Sequence, residues 1–412
     1  MFGGVSRRMK HETVAGLDIG TTKTCAIVAS EGPDGLEIIG YGEAPSFGMR
    51  KGVVTDLDET IKAIEAATEK AERMAGVPIQ DVYVAITGEH IRSTNNRAVV
   101  AVQSEDREVG LSDVRRVVDA SKIINLPADR QIIHALPRFF TVDGQDGVED
   151  PVGMAGGRLE VDTHIITGGS TFITNVLKCV HRAGLESSGL VFEPLASSAA
   201  TLLSEEKHVG VVLLDIGGGT SDIAVYSGGG AIYTSTIPVG GHILTNDISL
   251  GLKTTTSEAE NIKRAYGAGT QADDERKFPV KTLDGRATKD ATTAQLRQIV
   301  VPRVIETFRM AKAKIIENIP RDLVLGELVI TGGGAHLIGI EPLAEEVFGL
   351  PVRVGMPGSV AGLTDALKQP EYATAIGLVL FGPHGGMENH QYTRRGSSIF
   401  TKVRSWLGDL WN

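Results

Sequence analysis

Two stretches of the chain carry residue types that grip phosphate. They are Leu17-Asp18-Ile19-Gly20-Thr21-Thr22-Lys23-Thr24 and Leu214-Asp215-Ile216-Gly217-Gly218-Gly219-Thr220-Ser221-Asp222. Each reads as an apolar strand ending in Asp, a tight Gly/Thr turn and a returning strand. Glycine lets the backbone approach a ligand closely, because no Cβ intervenes. Successive N–H groups can then form an anion-binding concavity. The carboxylates of Asp18 and Asp215 stand where a Mg²⁺ on bound phosphates belongs, reached through its water shell. Thr and Lys side chains add donors to phosphate oxygens. One D-x-G turn is an ordinary hairpin; two in corresponding places of two halves point to one shared site. Neither stretch fits G-x-x-x-x-G-K-[ST], and no G-x-G-x-x-G opens a helix, so the P-loop and Rossmann fingerprints are excluded.

Further segments suit the same site. Ile330-Thr331-Gly332-Gly333-Gly334-Ala335 ends a strand in a glycine run, fit to pass beneath a purine and ribose. Glu193-Pro194-Leu195-Ala196-Ser197-Ser198-Ala199-Ala200 and Ala373-Thr374-Ala375-Ile376-Gly377 are small-residue helices that can pack closely on a partner.

The elements that must position these groups follow from apolar periodicity. In the first half, residues 14–30 read as strand, turn, strand, 36–41 as strand, 56–74 as an amphipathic helix, and 82–87 as a buried strand. The texture changes from 89 to 162: alternating segments at 98–103, 131–135 and 139–142, a helix led by Ser112 to Ile124, and a loop over 143–157. That reads as a small α+β insertion with its own sheet. Strand resumes at 161–167, followed by a helix at 170–183 and a strand at 190–192. The second half repeats the grammar, with strands over 210–226 and 231–239, helices at 245–252 and 257–266, and a polar stretch at 267–292. A long helix covers 294–316, broken or begun near Pro302. A strand at 328–331, a helix at 371–381 and a polar linker from 382 to 396 follow.

At 412 residues two or more domains are expected. A net charge of −10 argues against a general nucleic-acid binder. Cys25 and Cys179 read as reduced, buried thiols of a cytosolic protein. The first residues are basic but lack the apolar stretch of a signal peptide, and no segment approaches the roughly 20 apolar residues that span a bilayer. His134, His181, His242 and His336 have no metal-ligand spacing.

The end of the chain is amphipathic. At about 100° per residue, Ile399, Phe400, Val403, Trp406, Leu407, Leu410 and Trp411 fall within an arc of roughly 140°. Lys402, Arg404, Ser405, Gly408 and Asp409 take the other side. That division suits a helix lying in a membrane interface, with Lys402 and Arg404 toward anionic lipid.

The segments 17–24, 193–203, 213–226, 329–340 and 371–381 occur in the order of the actin, Hsp70 and sugar-kinase superfamily. Within it the chain resembles the bacterial cell-division FtsA family over essentially its whole length. Matching features are Pro45-Ser46-x-Gly48-Met49-x-Lys51-Gly52, Asp150-Pro151-Val152-Gly153-Met154-x-Gly156, Gly362-Leu363-Thr364-Asp365 and the amphipathic end. The resemblance implies an α/β, actin-like ATPase fold: two related α/β domains around a nucleotide cleft, with an FtsA-type inserted subdomain in the first half. The expected units are 1–88 with 163–205, the insertion 89–162, 206–245 with 318–381, a further subdomain 246–317, a linker 382–397 and a membrane-targeting helix 398–412.

The resemblance also implies roles. Gly20, Thr21, Thr22 and Lys23 hold phosphates from one side, and Gly217, Gly218, Gly219 and Thr220 from the other. Asp18 and Asp215 hold Mg²⁺ through water. Glu193 orients an attacking water, assisted by Thr220. Glu260 and Lys263 contact the adenosine; three apart on a helix, they are equally placed for a surface ion pair. Gly333 and Gly334 back the nucleoside. Arg297 and Arg303, on a modestly basic face, are candidates for the C-terminal peptide of the tubulin-like FtsZ. The expected ligands are ATP and Mg²⁺, with weak or absent hydrolysis. The expected partners are FtsZ, further copies of the chain in a filament, later division proteins and anionic lipid, at the cytoplasmic face of the inner membrane at the septum. A pilus-assembly or chaperone-type ATPase and a sugar kinase are the competing readings. No acidic catalytic residue for an acceptor hydroxyl is evident, and no substrate domain remains after residue 382.

Overall fold

The computed structural model describes residues 13–32, 35–268, 276–358, 360–362 and 364–383. The linker and the amphipathic end expected at 382–412 lie outside the described residues beyond 383. Two five-stranded sheets of matching design form the frame. In spatial order the first runs Glu186–Phe192, Asp81–Ile86, Thr13–Ile19, Lys23–Gly32, Gly35–Pro45. The second runs Gly230–Ile237, Ser221–Ser227, Val211–Ile216, Glu327–Thr331, Val352–Val354. In each, the Asp-bearing strand pairs antiparallel with the strand that returns from its turn and parallel with a buried neighbour. Val211–Ile216 is buried at every position, as a strand with helices on both faces must be.

Helices form where capping and periodicity agree. In Leu57–Ala75, Asp56 accepts the Glu59 N–H at 3.1 Å and Gly76 closes the other end at φ 69°. Its apolar face packs on the first sheet through Ile61, Ile64, Ala67 and Ala71. Thr293–Asn318 passes through Pro302 without ending, which corrects the break expected there. Thr292 and Gln295 cap each other at its start, and Leu296, Val300, Val304, Phe308, Ala311 and Ile315 bury one stripe on both sides of the proline. That packing outweighs the one backbone bond that proline removes. Ile340–Phe348, between glycines at φ 83° and 70°, is a helix the sequence reading passed over.

The insertion forms a separate four-stranded sheet, ordered Arg92–Ala101, Arg158–Gly169, Arg130–Val142, Gln145–Val148. Its helix is Leu111–Ser121, shorter than expected, and Asp113 accepts the Gly110 N–H at 3.0 Å. The boundary expected at 162 cuts through the strand Arg158–Gly169. That strand stays paired to Arg92–Ala101 and to Arg130–Val142 almost throughout, so hydrogen bonding carries the inserted sheet past residue 162.

The two small-residue helices, Glu193–Thr201 and Ala373–Phe381, cross at the base between the halves. A Cβ at Gly377 would lie 1.8 Å from the Ala196 carbonyl oxygen, so glycine is what permits the approach. Cys25 and Cys179 are buried free thiols.

Candidate functional site

The Asp-ended strands converge on an open cleft. Its wall includes Asp18, Gly20, Thr21, Thr22 and Lys23 from the first half, and Asp215, Gly217, Gly218, Thr220 and Gly333 from the second. Glu193 reaches it from the first residue of its helix. Both turns are closed alike: Gly20 N–H donates to the Lys23 carbonyl at 3.0 Å, and Gly217 N–H to the Thr220 carbonyl at 2.9 Å. The turns meet, since a Cβ on Gly218 would lie 2.5 Å from Thr22 Cγ2, and one on Gly219 2.6 Å from Thr21 Oγ1. Gly332, at φ 79°, runs so close to Asp215 that a Cβ would sit 2.2 Å from Oδ1. Glycine is therefore required where backbone and carboxylate share one corner of the cleft.

Four carboxyl groups are gathered here with little to balance them. Burial pushes Asp18 up to about 7, Lys23 opposing and Asp215 adding to the rise. Burial raises Asp215 to about 6 against hydrogen bonds from Ser197 and Thr374, the latter at 3.0 Å. Burial raises Asp222 to about 7 although Thr236 and Thr87 each donate to its Oδ1 at 2.5 Å. Glu193 is held well above the usual range by burial, then by the charges of Asp222, Asp18 and Asp215. An acidic cleft lined by glycine turns is complementary to a polyanion only together with a cation. Among the described residues, no three His, Cys, Asp or Glu side chains converge closely enough to ligate one ion directly.

The other expected residues fall outside the wall in distinct ways. Glu260 and Lys263 pair at 2.7 Å, and Lys263 Nζ donates to the Gly241 carbonyl at 3.2 Å and to Thr245 at 2.9 Å. Burial works to raise Glu260, but hydrogen bonds from Lys263 and Thr245 prevail and hold it at about 2. The pair braces the helix Gly241–Gly251, whose first N–H groups seat on the carbonyls of Gly217 and Gly218 at 2.9 and 2.8 Å. Gly219 and Gly334 sit just behind the wall, a Cβ on Gly334 meeting Ile216 at 2.3 Å. Lys23, by contrast, belongs to the wall, its Nζ resting 3.5 Å over the Tyr372 ring and 3.7 Å from Glu43. Arg297 is exposed on its helix; Arg303 is half-buried and donates to Asp247 at 2.6 Å.

Gly52, Thr87, Gly332, Glu371 and Thr374 also line the cleft, although no role was expected of them. Gly332 and Thr374 lie inside the glycine run and the second small-residue helix, and Asp222 ends the second phosphate-type motif. Thr87 had no signal, because only the fold brings it against Asp222.

The raised carboxyls give a pH signature. A carboxyl whose folded value exceeds its unfolded value favours the fold at low pH, and that contribution is lost as pH rises through the folded value. For Asp222 the window runs from the ordinary 3.8 to about 7. Relative to wild type, the stability of ligand-free Asp222→Asn should therefore climb across that window. Chemical denaturation at several pH values reads it, and a pH-independent difference refutes it.

A family model described as "Cell division protein FtsA" matches residues 212–377, and one described as "SHS2 domain inserted in FTSA" matches 88–167. The chain is 39% identical to the cell division protein FtsA of Pseudomonas aeruginosa over 406 residues, covering 96% of this chain and 97% of that protein. For the Bacillus subtilis protein the identity is 38%, covering 90% and 83%. For Escherichia coli K12 it is 35%, covering 97% of each. Among solved structures, a PilM–PilN type IV pilus biogenesis complex aligns with TM-score 0.64 at 19% identity, covering 90% of this chain and 98% of that one. MreB5 of Spiroplasma citri bound to ADP aligns with TM-score 0.53 at 14% identity, covering 90% and 96%. These likenesses show an actin-like fold. At 35–39% identity over most of its length, with the inserted subdomain in place, the chain belongs to the FtsA family of cell division proteins.

Proposed function

We propose that the cleft binds Mg-ATP and that the protein assembles into filaments on the cytoplasmic face of the inner membrane, tethering FtsZ there at the septum. The observation that carries the nucleotide reading is the pair of matched turns, closed by the same hydrogen bond and backed by buried carboxylates. Asp18 and Asp215 would hold Mg²⁺ through water, and the ion would neutralise the carboxyl cluster and the phosphates together. Thr21 to Lys23 and Gly218 to Thr220 supply N–H and side-chain donors to phosphate oxygens, while the Gly20 and Gly217 N–H groups close the turns that present them. Gly333, its backbone facing the cleft, backs the nucleoside, with Glu260 and Lys263 behind the adjacent turn. Glu193 and Thr220 orient water for a slow hydrolysis. Gly334 supports this corner by packing on Ile216.

Filament formation and FtsZ binding rest on the family. Of the two arginines suggested for the FtsZ tail, Arg297 is the better placed, because the guanidinium of Arg303 is engaged with Asp247. Membrane attachment rests on the amphipathic pattern of 398–412; no described helix is long and apolar enough to cross a bilayer. Truncation after Gly396, or Trp406→Glu, should release the protein from anionic liposomes without altering ATP affinity. Co-sedimentation decides: equal pelleting of truncated and intact protein excludes the anchor.

A further inference from the structure

The inserted sheet touches the parts of the molecule that hold the cleft carboxyls. Ser93 and Asn95, two apart on the strand Arg92–Ala101, reach the edge strand Gly230–Ile237 of the second half. Ser93 Oγ donates to the Thr234 carbonyl at 2.7 Å, and Asn95 Nδ2 to the Ile232 carbonyl at 3.0 Å. Side chains thus satisfy backbone groups that an edge strand leaves open. His164, buried on the strand Arg158–Gly169, completes the clasp: Nδ1 lies 2.6 Å from Asn95 Oδ1 and Nε2 3.0 Å from Thr234 Oγ1. The neutral ring with its hydrogen on Nδ1 satisfies both contacts, and burial keeps it neutral.

Thr236 lies two residues beyond Thr234, on the same side of the strand, and donates to Asp222 in the acidic cluster. Thr87 donates to the same oxygen from the first half. A second link runs from His134 on the strand Arg130–Val142. Its Nε2 accepts the Phe192 N–H at 3.0 Å, and Phe192 immediately precedes Glu193. The insertion is therefore hydrogen-bonded, one step removed, to the supports of both Asp222 and Glu193.

We infer that the inserted subdomain is a positioning element for the cleft: the seating of Ser93, Asn95 and His164 on Gly230–Ile237, and of His134 on Phe192, is linked to occupancy of the cleft by a nucleoside triphosphate with its divalent cation. The inference rests on the nucleotide reading of the cleft. Ser93 is half-buried and Asn95 exposed, but His164, His134, Thr234, Thr236 and Asp222 are buried. Buried donors and acceptors lose free energy when a partner moves away, so a shift of Asp222 or Glu193 toward a bound cation is passed along these bonds. Linkage is reciprocal: if the nucleotide tightens the clasp, loosening the clasp weakens nucleotide binding by the same factor.

Hydrogen exchange on the full chain, with and without Mg-ATP, tests this. In the wild type, Mg-ATP should slow exchange at 92–96 and 230–237. The double variant Ser93→Ala, Asn95→Ala, whose side chains lie outside the cleft wall, should bind Mg-ATP about fivefold or more weakly and lose that protection. Ser93→Thr, which keeps the hydroxyl, should retain both. A merely structural role would lower the melting temperature and leave affinity and ATP-linked protection unchanged. Wild-type binding of Mg-ATP with no change in exchange at the clasp overturns the inference alone, and this arm stands even if the double variant fails to fold. Failure of the wild type to bind Mg-ATP overturns the cleft reading and this inference with it.

Discussion

Asp215→Ala should weaken Mg-ATP binding by about 10- to 100-fold, the usual cost of removing a group that orients the water shell of a bound metal. The turn beyond it should survive, because Gly217 N–H still reaches the Thr220 carbonyl. The substitution strands the Thr374 hydroxyl, which donates to Asp215 at 3.0 Å, but it also removes one carboxylate from a crowded cluster. The two effects oppose, so the ligand-free melting temperature should change far less than the affinity. Titration calorimetry with and without Mg²⁺, beside a melting curve of the free protein, separates them. Wild-type affinity in the variant would show that the cation site lies elsewhere.

Gly377→Val should be among the most destabilising single substitutions in the chain. Its Cβ would lie 1.8 Å from a backbone oxygen of Glu193–Thr201, an atom that cannot turn aside as a side chain can. The two helices must separate, and Glu193 at the head of one must move with them. Overpacking in a tight core costs about 1–3 kcal/mol and occasionally more, and a clash with a fixed backbone oxygen puts this one at the upper end. Gly333→Ala is the contrast. Its nearest neighbour to a new Cβ is Glu371 Cβ at 3.8 Å, so the fold should tolerate it. Gly333 lines the cleft, however, and the added methyl should lower nucleotide affinity. Chemical denaturation and nucleotide titration of both variants should give opposite patterns. A Gly377→Val protein as stable as wild type would refute the crossing.

Much of this architecture was legible because it is local. The Asp-Gly-Thr turns announce themselves in sequence, and the structure closes both with the same hydrogen bond. The helix over 57–75 was legible from Asp56, Gly76 and an apolar period. Other features were not local. Pro302 reads as a helix break until the buried stripe on both sides of it is set against the second sheet. The strand ending at Gly169 reads as a return to the first domain, because its apolar pattern does not say which neighbour it will pair with. Thr87 gave no sign of a role, since its partner Asp222 comes from the other half. Glu260 and Lys263 were ambiguous in sequence between ligand contact and ion pair; the structure pairs them and ties them to the carbonyl of Gly241.

Electron microscopy of the full chain on anionic lipid monolayers tests most directly the proposed assembly of the nucleotide-bound protein on a membrane. With Mg-ATP, filaments should cover the lipid; with residues 398–412 removed, the lipid should stay bare while the protein still binds ATP. A lipid surface without filaments at saturating Mg-ATP, or filaments equally dense on it without residues 398–412, would contradict the proposed membrane assembly.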